Sequence, residues 1–245
     1  MRFLVLLLFL NVNGFAAWRL ESSTLESGAG GVTHRALVFR NNADVLKAHW
    51  VSWDPRHTLR VIDLAPGETV AAGAQKAEAK AAVNGGYFHA DRAPLGLVVS
   101  RGKTLHRWES SRLLTGVLAV AKNGEARIWR NAEFKRNAPW REALQAGPFL
   151  VDRGKPVSGL NATKTAERTV VVADKSGVIA LLVTEPITLA ALGELLATPD
   201  LFLATKIERA LNLDGGSSSA LWLAGKGSVK SEWKRVRNAV VVVEK

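Results

Sequence analysis

Cysteine is absent from all 245 residues. That excludes disulfides, any thiolate nucleophile and a lipid anchor carried on a cysteine, so a packed core must hold the fold. The five histidines (34, 49, 57, 89 and 106) lie far apart and make no His-Glu-x-x-His pattern. Closely spaced acids of the calcium-loop kind are missing too. Neither a metal nor a cofactor is expected. No Gly-x-Ser-x-Gly elbow presents a serine nucleophile. Arginine and lysine are scattered rather than gathered in a dense block, so a nucleic-acid partner is not expected. Beyond residue 10 no apolar run is long enough to span a bilayer, and the mature chain is expected to have no transmembrane span.

The one long apolar run, residues 3–10, follows Arg2 and precedes small residues at Gly14 and Ala16. This order reads as a signal peptide over residues 1–16, cut after Ala16 or after Ala17. The remainder, 17–245, is expected to be one domain, periplasmic or secreted. An exported chain without cysteine fits a bacterial periplasm best. Apolar residues make up 47% of the chain, enough for a substantial core. The net charge of +11 either attracts anionic polymers, phosphate-bearing sugars or a membrane surface, or solvates an ordinary exported surface.

The patterning is mostly that of strands. Residues 36–40 and 58–64 run apolar or alternate, and hairpins are expected over 95–105, 116–129 and 169–184. The second of these closes on Asn123-Gly124. Helices are expected over the alanine-rich stretch 69–82, over 188–197 with Thr188 as N-cap, and over 199–208. These features predict an α+β fold: a single domain of mixed or antiparallel sheets, built largely of hairpins, with two or three packed helices.

Two stretches share one grammar. "AVNGG" (82–86) and "NLDGG" (212–216) each end an apolar strand with a short polar residue and two glycines. Glycine allows positive φ and close approach of backbone to a ligand, and successive N–H groups in such a turn can cradle an anion. The plain alternative is two tight turns with Asx capping. Ser217, Ser218 and Ser219 follow Asp214 and can donate to phosphate or sugar oxygens. "QAGPFLV" (145–151) adds a Gly-Pro turn before a strand. Arg168 leads a long apolar strand, and arginine's planar fork suits phosphate. Trp222 directly follows the serine-rich motif and offers a face for a sugar.

Taken together and in this order, "VNGGYF", "QAGPFLV", Arg168 before its hairpin, "TLAALGELL" and "ALNLDGGSSSALW" resemble the phosphodiester glycosidase family over roughly residues 58–244. The family motif often has a third glycine where Ser217 stands. The resemblance implies hydrolysis of a glycosyl bond to a phosphodiester or similarly acidic leaving group, here in a cell-envelope glycan. It implies Asp214, Asn84 and Arg168 as catalytic residues. Gly85, Gly86, Gly215, Gly216, Ser217, Ser218 and Trp222 are the implied substrate contacts. Glu185, Asp63 and Asp152 are reserve carboxylates for the role given to Asp214. The expected partner is a carbohydrate or phosphoglycan substrate. Two other readings stay open: a non-catalytic envelope glycan-binding protein that retains the pocket, and a surface protein whose basic face meets anionic polymer.

Overall fold

A computed structural model describes residues 18–42, 44–202 and 206–245. The expected signal peptide lies outside the described residues. The chain is largely β, with 48% strand and 9% helix, and this corrects the α+β expectation. Two helices are present among the described residues: Val70–Lys76 and Leu189–Ala197. Both begin where a threonine caps them: Thr69 Oγ1 accepts the Ala72 N–H at 3.0 Å, and Thr188 Oγ1 accepts that of Ala191 at 3.2 Å. The alanine-rich stretch does not stay helical to residue 82. Glu78 turns to φ 54°, and Ala81–Asn84 becomes a strand, with Ala81 opposite Val242 and Ala82 opposite Val241. Sheet pairing overrides alanine's helix preference there. The described ends of the third expected helix, 199–202 and 206–208, are not helical, and 203–205 lie outside the described residues.

Three sheets, all antiparallel, make up the body. The first has eight strands in the order Arg19–Ala29, Val32–Asn41, Asp44–Trp53, Val178–Ile187, Ala166–Ala173, Arg209–Asn212, Phe149–Asp152 and Lys155–Pro156. The second runs Lys103–His106, Val98–Ser100, Glu142–Ala146, Gly116–Val120 and Ala126–Arg130. The third runs Gly227–Lys230, Leu221–Leu223, Ala81–Asn84, Asn238–Glu244 and His57–Asp63. The three predicted hairpins are all present. No helix among the described residues is long and apolar enough to cross a membrane.

Alternation along the strands assigns each face. Val83, Leu118, Leu144, Val171, Leu181, Leu211, Leu221 and Val240, drawn from all three sheets, meet in one central core. The outer face of the first sheet is covered by Leu192, Leu195 and Leu196 of the longer helix. Val70 and Ala74 of the shorter helix cover the third. Phe134 and the half-buried Trp108, Trp129 and Trp140 cover the second. Each sheet is therefore buried on both faces, which the sequence signals as near-continuous apolar runs such as 240–243.

Three of the chain's passages between sheets carry the motifs singled out above. Residues 85–97 lead from the third sheet to the second. Gly147 and Pro148 lead from the second to the first. Residues 213–220 lead from the first to the third. The stretches singled out from the sequence are these three crossings.

Candidate active site

The crossings are tied together by hydrogen bonds. Asp214 N–H donates to the Gly85 carbonyl at 3.1 Å. Asn84 Nδ2 donates to the Asp214 carbonyl at 2.7 Å. Tyr87 Oη donates to the Gly147 carbonyl at 2.7 Å, and Asn212 Nδ2 donates to Tyr87 Oη at 2.8 Å. Leu213 N–H donates to the Thr169 carbonyl at 2.8 Å, placing Arg168 beside this loop. The structure thus brings Asn84, Gly85, Gly86, Arg168, Asp214, Gly215, Gly216, Ser217 and Ser218 into one neighbourhood.

Asn84 is fully buried, and its amide is used within the protein. Its Oδ1 accepts from Thr169 Oγ1 at 2.6 Å and from the Ala220 N–H at 3.1 Å, while Nδ2 holds the Asp214 backbone. It is a positioning residue that fixes where Asp214 stands. Asn84→Ala leaves three buried polar groups without this partner. The expected cost is about 3 kcal/mol of stability, read from urea unfolding.

The Asp214 carboxylate is half-buried. Burial pushes its pKa up, and the Ser218 hydroxyl, the Gly215 N–H and the Lys234 charge pull it part of the way back. The Gly215 N–H meets Oδ1 at 2.8 Å. Arg168 is buried at 9% exposure and has no carboxylate partner among the described residues. Its Nε donates to the Ile187 carbonyl at 3.0 Å and its Nη2 to the Lys164 carbonyl at 2.8 Å. Burial lowers its pKa. A buried cation without a counter-charge is costly unless a ligand supplies one. Tyr87 lies within the fields of both groups: burial first, and Asp214 second, raise its phenol pKa, while Arg168 opposes them.

Gly85 and Gly215 are required by contacts within the protein. A Cβ on Gly85 would lie 2.0 Å from Asn238 Oδ1, and one on Gly215 would lie 2.6 Å from the Glu167 carbonyl oxygen. Close approach is needed, but to neighbouring protein backbone and side chain. The Gly85 and Gly86 N–H groups donate to Asn238, at 2.9 Å to its carbonyl and 2.8 Å to its Oδ1. Gly216 alone of the four has positive φ, at 60°, and its N–H has no protein partner among the described residues. Ser217 is exposed, and its carbonyl accepts the N–H groups of Trp233 and Lys234 at 2.8 and 2.9 Å.

Some expected residues lie elsewhere. Trp222 is buried against Val70 and Ala74 on the outer face of the third sheet, because strand alternation turns it away from Leu221 and Leu223. Asp152 is paired with Arg130 and Arg209 at the far end of its strand. Asp63 is engaged by Arg237 at 2.7 Å. Glu185 is exposed, one residue beyond Thr184, the register partner of Arg168. Sequence reasoning passed over Tyr87, Thr169, Asn212, Lys234 and Asn238. Asn212 stands inside the quoted motif, and Tyr87, the chain's single tyrosine, directly follows Gly86. Lys234 and Asn238 carry no local signal. No three His, Asp or Glu side chains among the described residues converge as a metal site requires.

The family model for phosphodiester glycosidase matches residues 77–243, and the chain belongs to that family. No curated protein matches it by sequence. Among solved structures it is similar to the zebrafish N-acetylglucosamine-1-phosphodiester alpha-N-acetylglucosaminidase catalytic domain, auto-inhibited by its pro-peptide. That likeness has a TM-score of 0.69 at 18% identity and covers 94% of this chain and 89% of the other. A hypothetical protein from Synechocystis has a TM-score of 0.61 at 18% identity, covering 88% of this chain and 62% of the other. A protein from Burkholderia pseudomallei described as exported has a TM-score of 0.57 at 14% identity, covering 85% and 74%. At these identities the likenesses show the fold.

Proposed function

We propose that the chain is an exported glycosidase that hydrolyses a glycosyl bond to a phosphodiester, or to a similarly acidic leaving group, in a cell-envelope glycan. One juxtaposition carries this reading: Asp214, a half-buried carboxylate, lies on the 213–220 crossing, and Arg168, a buried cation with no acidic partner among the described residues, directly precedes Thr169, whose carbonyl accepts the Leu213 N–H. Family membership supplies the reaction class.

A phosphodiester differs from an ordinary glycoside in its leaving group. The bond between the anomeric carbon and the bridging oxygen breaks, and both electrons stay on oxygen, which departs as part of a stable phosphate anion. Strong proton donation to that oxygen is not needed, so the second carboxyl group of ordinary glycosidases can be dispensed with. What remains is to stabilise positive charge at the anomeric carbon, to bring in water and to bind the phosphate. Asp214 provides the negative charge and can accept the proton that the water loses. Arg168, Lys234 and the open Gly216 N–H provide the phosphate's counter-charge and donors. Asn84, itself held by Thr169, fixes the Asp214 backbone, and the Ile187 and Lys164 carbonyls fix the Arg168 guanidinium; a rigid arrangement costs no reorganisation during reaction.

The test is incubation of the chain from Trp18 onward with a panel of sugar-1-phosphodiesters and nucleotide-diphosphate sugars, following free reducing sugar. Release by the parent protein supports the reading. Binding of these compounds without release, at any pH tested, would favour the non-catalytic glycan-binding alternative. Arg168→Lys should keep the charge but lose the planar fork. The expected result is a fall in kcat/KM of about tenfold or more, carried mainly by KM, because the fork binds phosphate in ground and transition state alike.

A further inference from the structure

The outer faces of the first and third sheets are covered by helices, whereas that of the second is covered by two irregular segments. Residues 107–114 run over it and are pinned by Gln145, which stands opposite Val117 on that face. Gln145 Oε1 accepts the Glu109 N–H at 3.2 Å, and its Nε2 donates to the Glu109 carbonyl at 2.8 Å. Residues 131–140 follow the edge strand Ala126–Arg130 and meet the first segment through their rings. Trp108 stacks on Phe134 at 5.9 Å between ring centres, and Phe134 stacks on Trp140 at 5.3 Å. Trp140 leans on Trp129 at 6.1 Å, and the Arg136 guanidinium lies 4.1 Å from the centre of the Trp108 ring.

The charge of this region is one-sided. Residues 101–141 carry ten Lys and Arg against three Glu, which is +7 of the chain's +11. The three acids are engaged within the protein: Glu125 by Arg127, Glu133 by Arg209, and Glu109 by His89 and His106 at 3.8 and 3.6 Å. Arg107, Arg112, Lys135 and Arg136 belong to the two covering segments, are exposed and have no carboxylate partner among the described residues. Two leucines are displayed with them, Leu105 at 37% and Leu113 at 38% exposure. A Cβ on Gly147 would lie 2.1 Å from the Leu113 carbonyl oxygen, so this leucine stands beside the crossing that Tyr87 holds.

Rings packed on one another have little face left to stack on a sugar or a nucleobase. Indoles, displayed leucines and unpaired cations in one patch have instead the composition that suits a lipid–water interface. Apolar groups enter the headgroup boundary while cations meet anionic headgroups, and the two contributions add. We propose that the outer covering of the second sheet, centred on Trp108, Leu113 and Arg136, docks the protein on an anionic lipid bilayer. The bilayer then lies beside the candidate active site. This concerns attachment and not bond cleavage, so it stands or falls apart from the hydrolase reading.

The test is sedimentation of the chain from Trp18 onward with phosphatidylcholine vesicles, alone or with about 30% phosphatidylglycerol. Binding is expected only with phosphatidylglycerol, and added salt should weaken it by screening. Arg107→Gln, Arg112→Gln, Lys135→Gln and Arg136→Gln together should weaken binding about 10²-fold or more. The charge-matched control removes four exposed lysines elsewhere, Lys47, Lys155, Lys175 and Lys206, and should weaken it less than about fivefold. Leu105→Ser with Leu113→Ser keeps every charge and should weaken binding about tenfold. Circular dichroism checks that each variant is folded. If the fourfold variant does not fold, Arg107→Gln with Arg112→Gln leaves Arg136 on its ring and carries the same comparison, at about tenfold. No binding of the parent to the mixed vesicles overturns the proposal. Equal losses in the two charge variants overturn it as well, because net charge and not this face would then be responsible. If the leucine variant binds the vesicles as tightly as the parent, the face is a site for a soluble polyanion and the bilayer reading falls.

Discussion

Asp214→Asn should lower kcat on a cleavable sugar phosphodiester by about 10³-fold or more, while the protein stays folded and becomes slightly harder to melt. The two effects share one cause. Burial holds the Asp214 carboxyl above the ordinary aspartate range, against the pull of Ser218, Gly215 and Lys234. A carboxyl with a higher pKa in the folded than in the unfolded chain costs stability once it ionises. The folded state then keeps more protons than the unfolded state as pH rises, so stability falls through that window. Asparagine removes this cost. Its melting temperature should exceed that of the parent at neutral pH, and the gap should narrow toward about pH 4, below the raised pKa. The same shift sets the activity profile. In the proposed mechanism the ionised form acts, so kcat/KM should decline on the acid side at a pH above the usual aspartate value of about 4. Lys234→Gln removes a stabilising charge and should move that limb to higher pH. Unchanged activity in Asp214→Asn would remove Asp214 from the chemistry and leave family membership intact.

What could be read from the sequence depended on the range of the interaction involved. The hairpins and both helix starts were legible because a strand run, a turn dipeptide or a threonine cap acts over a few residues. The end of the first helix was not, because Ala81 and Ala82 are recruited by Val242 and Val241 from the other end of the chain. That long-range pairing also explains why the fold is largely β where helices and strands were expected to share it. The site follows the same rule. Asp214, Asn84 and Arg168 stood out because their motifs are contiguous. Asn238 and Lys234 are as much part of the cluster, yet no local pattern marks them. Trp222 was misplaced for a related reason: adjacency to a motif says nothing about which face of a strand a side chain takes, and alternation sends it outward.

Gly85→Ala should destabilise the protein by about 3 kcal/mol and weaken activity as well. Gly85 has no positive φ to protect, so backbone strain is not the cause. The cause is contact: the added methyl would lie 2.0 Å from Asn238 Oδ1 and 2.9 Å from the Asn238 carbonyl oxygen. The side chain can swing away only by giving up its bond to the Gly86 N–H, and the carbonyl belongs to a central strand that pairs on both sides. The Gly85 carbonyl itself accepts from the Asp214 N–H, so any shift of this backbone is passed to Asp214. Gly225→Ala is the matched control. It has φ 78° and open space around it, and should cost only about 1 kcal/mol, with activity unchanged. Urea unfolding of both variants, with sugar release measured on the same preparations, separates the two origins. If Gly85→Ala proved as stable as the parent, the packing account would fail. The first glycine pair would then have to be explained by what it leaves open to a ligand, which is the role its sequence first suggests.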